Sequence, residues 1–390
     1  MLYLQSPFFS GLCCLLTMAG FYIHIPFCAQ QCTYCDFHFS TTFESYRTQM
    51  VAAICTEIQL RSAENEALTL QTIYFGGGTP SILTTLELAQ LIQSIRLAYR
   101  LSPTLEITLE CNPDDCTLEQ LTAWKNEGIS RLSIGVQSFD DSQLSWMNRT
   151  HNGSEALAAI QRAKAVGFNE ISVDLIYGLP NLTNANWQKQ LQQVVDLGVD
   201  HISAYCLTVE QKTTLAAWVK SGKIRPLTED VQSEQFELLV AVLAHNGFEQ
   251  YEISNFARNN RYSKHNTAYW QGTPYIGVGP SAHGFTGKER YWNKANNAQY
   301  IQALTKYELS ETRELLSVND QFNELIMLGL RTKWGVEIAA LQAIIPLTEK
   351  WIQLKDQFIA NGTLVATDTH FLLTPSGRLL ADAIASDLFV

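Results

Sequence analysis

Short apolar runs and longer amphipathic stretches alternate through the first half of the chain. Residues 21–25, 72–75, 105–109, 131–135, 171–175 and 201–205 are rich in β-branched or aromatic types, and Gly, Pro or Asn often bounds them. They predict strands. Residues 43–62, 84–98, 117–127, 154–166 and 186–196 predict helices. In the second of these, Leu88, Leu91, Ile92 and Ile95 recur at three- and four-residue spacing and mark one buried face. Thr84 with Glu87, and Thr117 with Gln120, have the spacing of a capping box. Strands alternating with helices predict a parallel sheet with right-handed crossovers. Six repeats predict an α/β fold, a partial (β/α)6 TIM-like barrel.

The pattern then changes. Residues 211–256 read as mostly helical, most clearly over 231–244, and 259–293 read as a loop-like zone dense in Asn, Gly, Pro and aromatics. Beyond residue 320 come helices at 321–330, 337–345 and 348–360, strands at 364–367 and 371–374, and a last helix at 376–388. Helices with a hairpin suggest a winged-helix-like module that covers or flanks the barrel mouth. The expected organisation is an N-terminal extension (1–20), a barrel (21–258), a linker (259–315) and a mostly helical C-terminal module (316–390).

Composition narrows the function classes. The 390 residues carry a formal charge of −11, against the positive surplus that phosphate-gripping proteins need, so no nucleic acid partner is expected. No apolar run reaches the roughly 18 residues of a membrane span. Residues 1–20 lack a basic leader, and Met18 offers an alternative start that would make the preceding residues dispensable. Nine cysteines, an odd number in a large chain, point to a reducing compartment, and a cytoplasmic location is expected.

Three of those cysteines stand apart. Cys28, Cys32 and Cys35 are spaced Cys-x3-Cys-x2-Cys, directly after the first predicted strand. Thiolates suit iron–sulfur clusters and zinc. A [4Fe–4S] cluster on three cysteines leaves one iron open. That iron can take the amino and carboxylate groups of S-adenosylmethionine (SAM), and electron transfer then breaks a carbon–sulfur bond. The plainer alternative is a structural zinc site, with His24 or His38 as its fourth ligand.

With its flanks, Tyr22-Ile23-His24-Ile25-Pro26-Phe27 before and Thr33-Tyr34 within, the segment resembles the radical SAM proteins, and more closely the oxygen-independent coproporphyrinogen III oxidase group. The resemblance runs from Tyr22 to the C-terminus. It implies that Gly76-Gly77-Gly78-Thr79-Pro80 receives the SAM amino group, with Gly77, Gly78 and Thr79 as binding residues. It also implies SAM contacts at Tyr22, Tyr34, Glu110, Gln137, Arg149 and Asp174. The bland readings are a glycine turn for the first motif and caps or solvated loop residues for the carboxylates.

The branch is readable too. The oxidases resemble one another in a fourth cysteine two places after the third; here that position is Phe37. The element His265-Asn266-Thr267-Ala268-Tyr269-Trp270 resembles the heme chaperone branch instead. That resemblance implies heme as cargo and a heme-acceptor protein as partner. His265 or His283 would then ligate heme iron, with Tyr269 and Trp270 as stacking surface. Alternatively, His265 and Asn266 hold a loop by hydrogen bonds. The rival functions are radical decarboxylation of coproporphyrinogen propionates and radical SAM chemistry on an unrelated substrate.

Overall fold

Six parallel strands carry the first half of the chain in a computed structural model that describes residues 17–65 and 68–390. They are β1 (Thr17–Ile25), β2 (Leu68–Gly77), β3 (Arg100–Cys111), β4 (Arg131–Gln137), β5 (Glu170–Tyr177) and β6 (His201–Cys206), paired in chain order. Parallel neighbours need long crossovers, and helices provide them. These are α1 (Arg47–Glu64), α2 (Thr85–Ala98), α3 (Leu118–Asn126), α4 (Asp141–Trp146), α5 (Gly153–Val166) and α6 (Asn184–Asp196). β1 takes in residues 17–20, which the sequence reading assigned to the extension; residues 1–16 lie outside the described residues.

The capping expectation holds at one site and half-holds at the other. Thr84 and Glu87 exchange both bonds of the box, at 2.8 and 3.2 Å. Thr117 accepts from the Gln120 N–H at 3.1 Å, but the Gln120 side chain does not return, and its Oε1 is buried without a partner.

The main sheet has twelve strands. After α7 (Thr214–Lys220) and α8 (Glu229–His245) come β7 (Glu249–Glu252) and β8 (Asn255–Ala257), and β8 runs antiparallel beside β6. The zone read as a loop contains α9 (Lys264–Trp270), β9 (Tyr275–Val278), β10 (His283–Phe285) and β11 (Glu289–Asn293). β9 returns to pair in parallel with β1. Glycine misled the reading here. A Cβ on Gly277 would stand 1.8 Å from the His283 carbonyl oxygen, so this glycine marks two strands in close approach. After α10 (Asn297–Thr305), β12 (Glu311–Leu315) closes the far edge.

Each barrel strand has two unlike faces. Phe21, Ile23, Ile73, Phe75, Leu109, Ile134, Val173 and Ile202 bury outward against the helices. The opposite face carries Tyr22, Tyr74, Thr108, Glu110, Ser133, Ser172, Asp174 and Ser203, which line a cavity. A barrel of this kind usually fills its interior with branched apolar side chains. Polar ones leave space for a ligand.

The C-terminal module has its own core around Phe322, Trp351, Phe371 and Ile384. It comprises α11 (Val318–Leu330), β13 (Val336–Glu337), α12 (Ile338–Ile344), α13 (Glu349–Ala360), β14 (Leu364–Ala366), β15 (His370–Leu373), α14 (Pro375–Arg378) and α15 (Ala381–Asp387). The single helix expected at 376–388 is two, α14 and α15. The module docks on β7 through Arg331–Glu252 at 3.3 Å and Arg378–Gln250 at 2.6 Å. It does not cover the mouth: no residue beyond Tyr269 lines the cavity.

Candidate SAM and cluster site

The cavity opens at the carboxyl ends of β1–β6 and measures about 540 Å³. Cys28, Cys32 and Cys35 line it, as do Tyr22, Tyr34, Gly77, Gly78, Thr79, Glu110, Gln137, Arg149, Asp174 and His265. Every residue that the sequence assigned to the cluster or to SAM therefore reaches one wall, and so does His265. Of the other residues considered for heme, Tyr269 lines the cavity, and His283 and Trp270 do not.

The cysteine loop is clamped by the segment after α4. Thr33 N–H donates to the Met147 carbonyl at 3.1 Å, and Asn148 Nδ2 donates to the Gln31 carbonyl at 2.7 Å. Two donors meet the sulfurs. Thr79 Oγ1 donates to Cys28 Sγ at 3.4 Å, and Arg149 Nη1 to Cys32 Sγ at 3.5 Å. Arg149 is braced from behind by Asn112 Oδ1 (2.7 Å) and the Gly135 carbonyl (2.8 Å), while its Nε is buried with no partner. Burial pushes the Cys28 thiol up to about 11 and Cys35 up to about 12, so a cationic centre is needed to hold them as thiolates.

This donor set fits a cluster better than zinc. His24 Nε2 bonds the His38 carbonyl at 2.8 Å, and His38 Nε2 bonds Asn297 at 2.8 Å, so both proposed fourth ligands are engaged elsewhere. Among the described residues, no three His, Cys, Asp or Glu side chains converge on one ion position. A cluster gives each thiolate its own iron and requires no such point.

The glycine run is shaped for close approach. A Cβ on Gly78 would meet the Phe27 carbonyl at 2.5 Å, and Gly77 has φ +113°. The N–H groups of Gly78 and Thr79 are spent on the Ile25 and Phe27 carbonyls, at 2.9 and 2.7 Å. An ammonium group asks for acceptors, so those lost donors cost nothing.

Glu110 and Asp174 sit deeper. Glu110 accepts from Tyr74 OH at 2.7 Å, and Asp174 from Ser133 at 2.9 Å and Ser172 at 3.1 Å. Burial, reinforced by the Asp174 charge, pushes Glu110 up to about 7, against the pull of the Tyr74 bond. Burial also raises Asp174, opposed by its serine donors. Sequence reasoning passed over Asn112, Tyr74 and the serines. The missed signal was polar residues at every second position of strands that a parallel barrel should bury on both faces.

His265 is buried, 2% exposed. Its Nδ1 bonds Thr72 Oγ1 at 2.7 Å, its Nε2 bonds Tyr269 OH at 2.8 Å, and its ring stacks on Tyr74. Trp270 Nε1 donates to Asn266 at 2.8 Å. The motif thus ties α9 to β2 through Thr72 and Tyr74 and braces the helix internally through Tyr269 and Asn266. His283 is exposed and stacks on Trp292.

Residues 22–194 match the radical SAM superfamily, and residues 316–380 match the HemN C-terminal domain. Over 373 residues the chain is 35% identical to the heme chaperone HemW of Mycobacterium tuberculosis, covering 95% of this chain and 94% of that one. It belongs to the HemW family of radical SAM proteins. Another HemW, from Bacillus subtilis, is 32% identical over 378 residues, or 94% of this chain and 98% of its own. The fold is shared with coproporphyrinogen III oxidase (HemN) from Escherichia coli at a TM-score of 0.83 and 22% identity, over 96% of this chain and 90% of that one. The radical SAM match over residues 22–194 implies a [4Fe–4S] cluster and SAM. No helix among the described residues is long and apolar enough to cross a membrane.

Proposed function

We propose that this chain is a heme chaperone. It holds a [4Fe–4S] cluster on Cys28, Cys32 and Cys35, binds SAM beside it, takes up heme and passes it to an acceptor protein in the cytoplasm. The observation that carries this reading is end-to-end similarity to proteins named heme chaperone HemW. Phe37 agrees: it stands where the oxidases have a fourth cysteine, and it is 66% exposed at the cavity rim.

When bound, the cluster supplies an open iron and an electron donor. The chain's own residues do the positioning. Gly77, Gly78 and Thr79 let backbone approach the amino group of SAM. Glu110 and Asp174 accept from ribose hydroxyls, with Gln137 sharing the rim. Arg149 keeps a positive charge against the thiolates and braces the SAM carboxylate. Tyr22 and Tyr34 flank the bound nucleotide. For His265 to ligate heme iron, its ring must first give up its bonds to Thr72 on β2 and to Tyr269 within α9; exposed His283 needs no such change.

The test is anaerobic reconstitution with iron and sulfide, followed by heme titration and a coproporphyrinogen decarboxylation assay. A saturable Soret change with no decarboxylation is expected. Rapid conversion of coproporphyrinogen, or no heme-induced spectral change, would overturn the reading.

A further inference from the structure

The cavity continues below the SAM residues. On β4 the inward positions step down from Gln137 through Gly135 and Ser133 to Arg131. From Gly135 to Arg131, at about 3.3 Å per residue, that descent spans roughly 13 Å. Arg131 lines the floor and is 2% exposed, yet its Nη2 has no hydrogen-bond partner. Buried arginines are ordinarily paired, and a buried unpaired donor calls for an explanation.

Its charged neighbours do not supply the missing partner. Glu106, Asp174, His201 and Tyr251 all feel the charge of Arg131. Glu106 directs its oxygens to the backbone N–H groups of Lys264 and His265, at 3.3 and 3.2 Å. Asp174 is taken by Ser133 and Ser172. His201 is held between Ser172 and Tyr251, both at 2.8 Å. A planar guanidinium with free edges matches a carboxylate in two-point geometry.

We propose that Arg131 is the receptor for a carboxylate of the cargo, a propionate-type side chain of a tetrapyrrole reaching past SAM to the barrel floor. This rests on the tetrapyrrole reading above.

The experiment titrates reconstituted, SAM-loaded protein with iron protoporphyrin IX and with its dimethyl ester, which lacks both charges. Wild type binds the free acid about ten- to a hundredfold more tightly. Arg131→Gln lowers acid affinity to that of the ester, and Arg131→Lys restores part of the difference; SAM affinity and thermal stability serve as folding controls. Should Arg131→Gln fold poorly, the acid-to-ester ratio in wild type and Arg131→Lys still decides. Equal affinities in wild type overturn the inference and leave the chaperone reading standing. So does an Arg131→Gln protein that loses stability but keeps the ratio, which makes Arg131 only a counter-ion for Glu106 and Asp174. Binding of neither porphyrin overturns both.

Discussion

Five cysteines face or adjoin the cavity, and their surroundings separate their roles. Cys28, Cys32 and Cys35 meet it from one loop, with Thr79 and Arg149 donating to two of them. Cys111 lies against Cys116 at 3.6 Å and donates to the Ser133 carbonyl, so its sulfur has protein partners. Cys206 stands on β6, beyond the clamped loop. Serine at 28, 32 or 35 is expected to abolish bound iron and sulfide after reconstitution, while Cys206→Ser retains both; chemical iron and sulfide analysis reads the result. Glu110 gives a pH-dependent case. Its carboxyl is raised to about 7, chiefly by burial, so the folded state holds a proton that the unfolded chain releases near the ordinary value. That preference favours folding below about pH 4.5 and is lost as pH rises through 7. Glu110→Gln removes the penalty. The ligand-free variant is expected to be more stable than wild type at pH 8, by roughly 1–3 kcal/mol, with the gap closing toward pH 4.5. Urea unfolding across that range tests it, and a constant gap would refute the assignment. The cysteines were legible because their spacing is local. The donors that tune them were not: Thr79 is 51 residues from Cys28, and Arg149 is 117 from Cys32.

Among the elements, α1 does more than cross between strands. Its Glu57 and Arg61 are both 1% exposed and pair at 2.7 Å. Glu57 also accepts from the Gly279 N–H at 2.8 Å and from Tyr300 OH at 2.5 Å. Arg61 reaches Glu311 on β12 at 2.8 Å, and its guanidinium lies 3.9 Å over the Tyr291 ring of β11. This network fastens the added strands β9–β12 to the barrel. Removing one partner leaves a buried charge uncompensated, so Arg61→Leu or Glu57→Gln should cost about 3–5 kcal/mol. The two together should cost less than their sum, measurable as a double-mutant cycle in denaturant. In sequence, Glu57 and Arg61 look like an exposed helical pair at four-residue spacing. Only the sheet that packs over them makes the pair buried, and that sheet comes from the segment that reads as loop. Strands of three to five residues interrupted by Gly277, Gly279 and Gly284 carry too few alternating positions to show a period.

At the scale of the whole molecule, two cores are separate. The barrel core runs from Ala19 to Leu304, and the C-terminal core from Phe322 to Leu388. Trp351 sits in the smaller one, 5% exposed, with its indole N–H donating to the Leu388 carbonyl at 2.8 Å. Trp351→Ala should destabilise that module by about 3–5 kcal/mol and raise its hydrogen exchange. SAM affinity should hold, because the module contributes nothing to the cavity wall. A large loss of SAM affinity would show the two bodies to be coupled.

What the chain alone determined was whatever depends on near neighbours: six strand–helix units, the Thr84 cap, the thiolate triplet, and the glycine run beside it. Folding decided the rest. It set polar faces of separate strands opposite one another and so made a chamber. It locked His265 between Thr72 and Tyr269, and it left Arg131 without a partner at the chamber floor. Those are properties of groups brought together across the barrel. Their environment is created by solvent exclusion that no single segment carries.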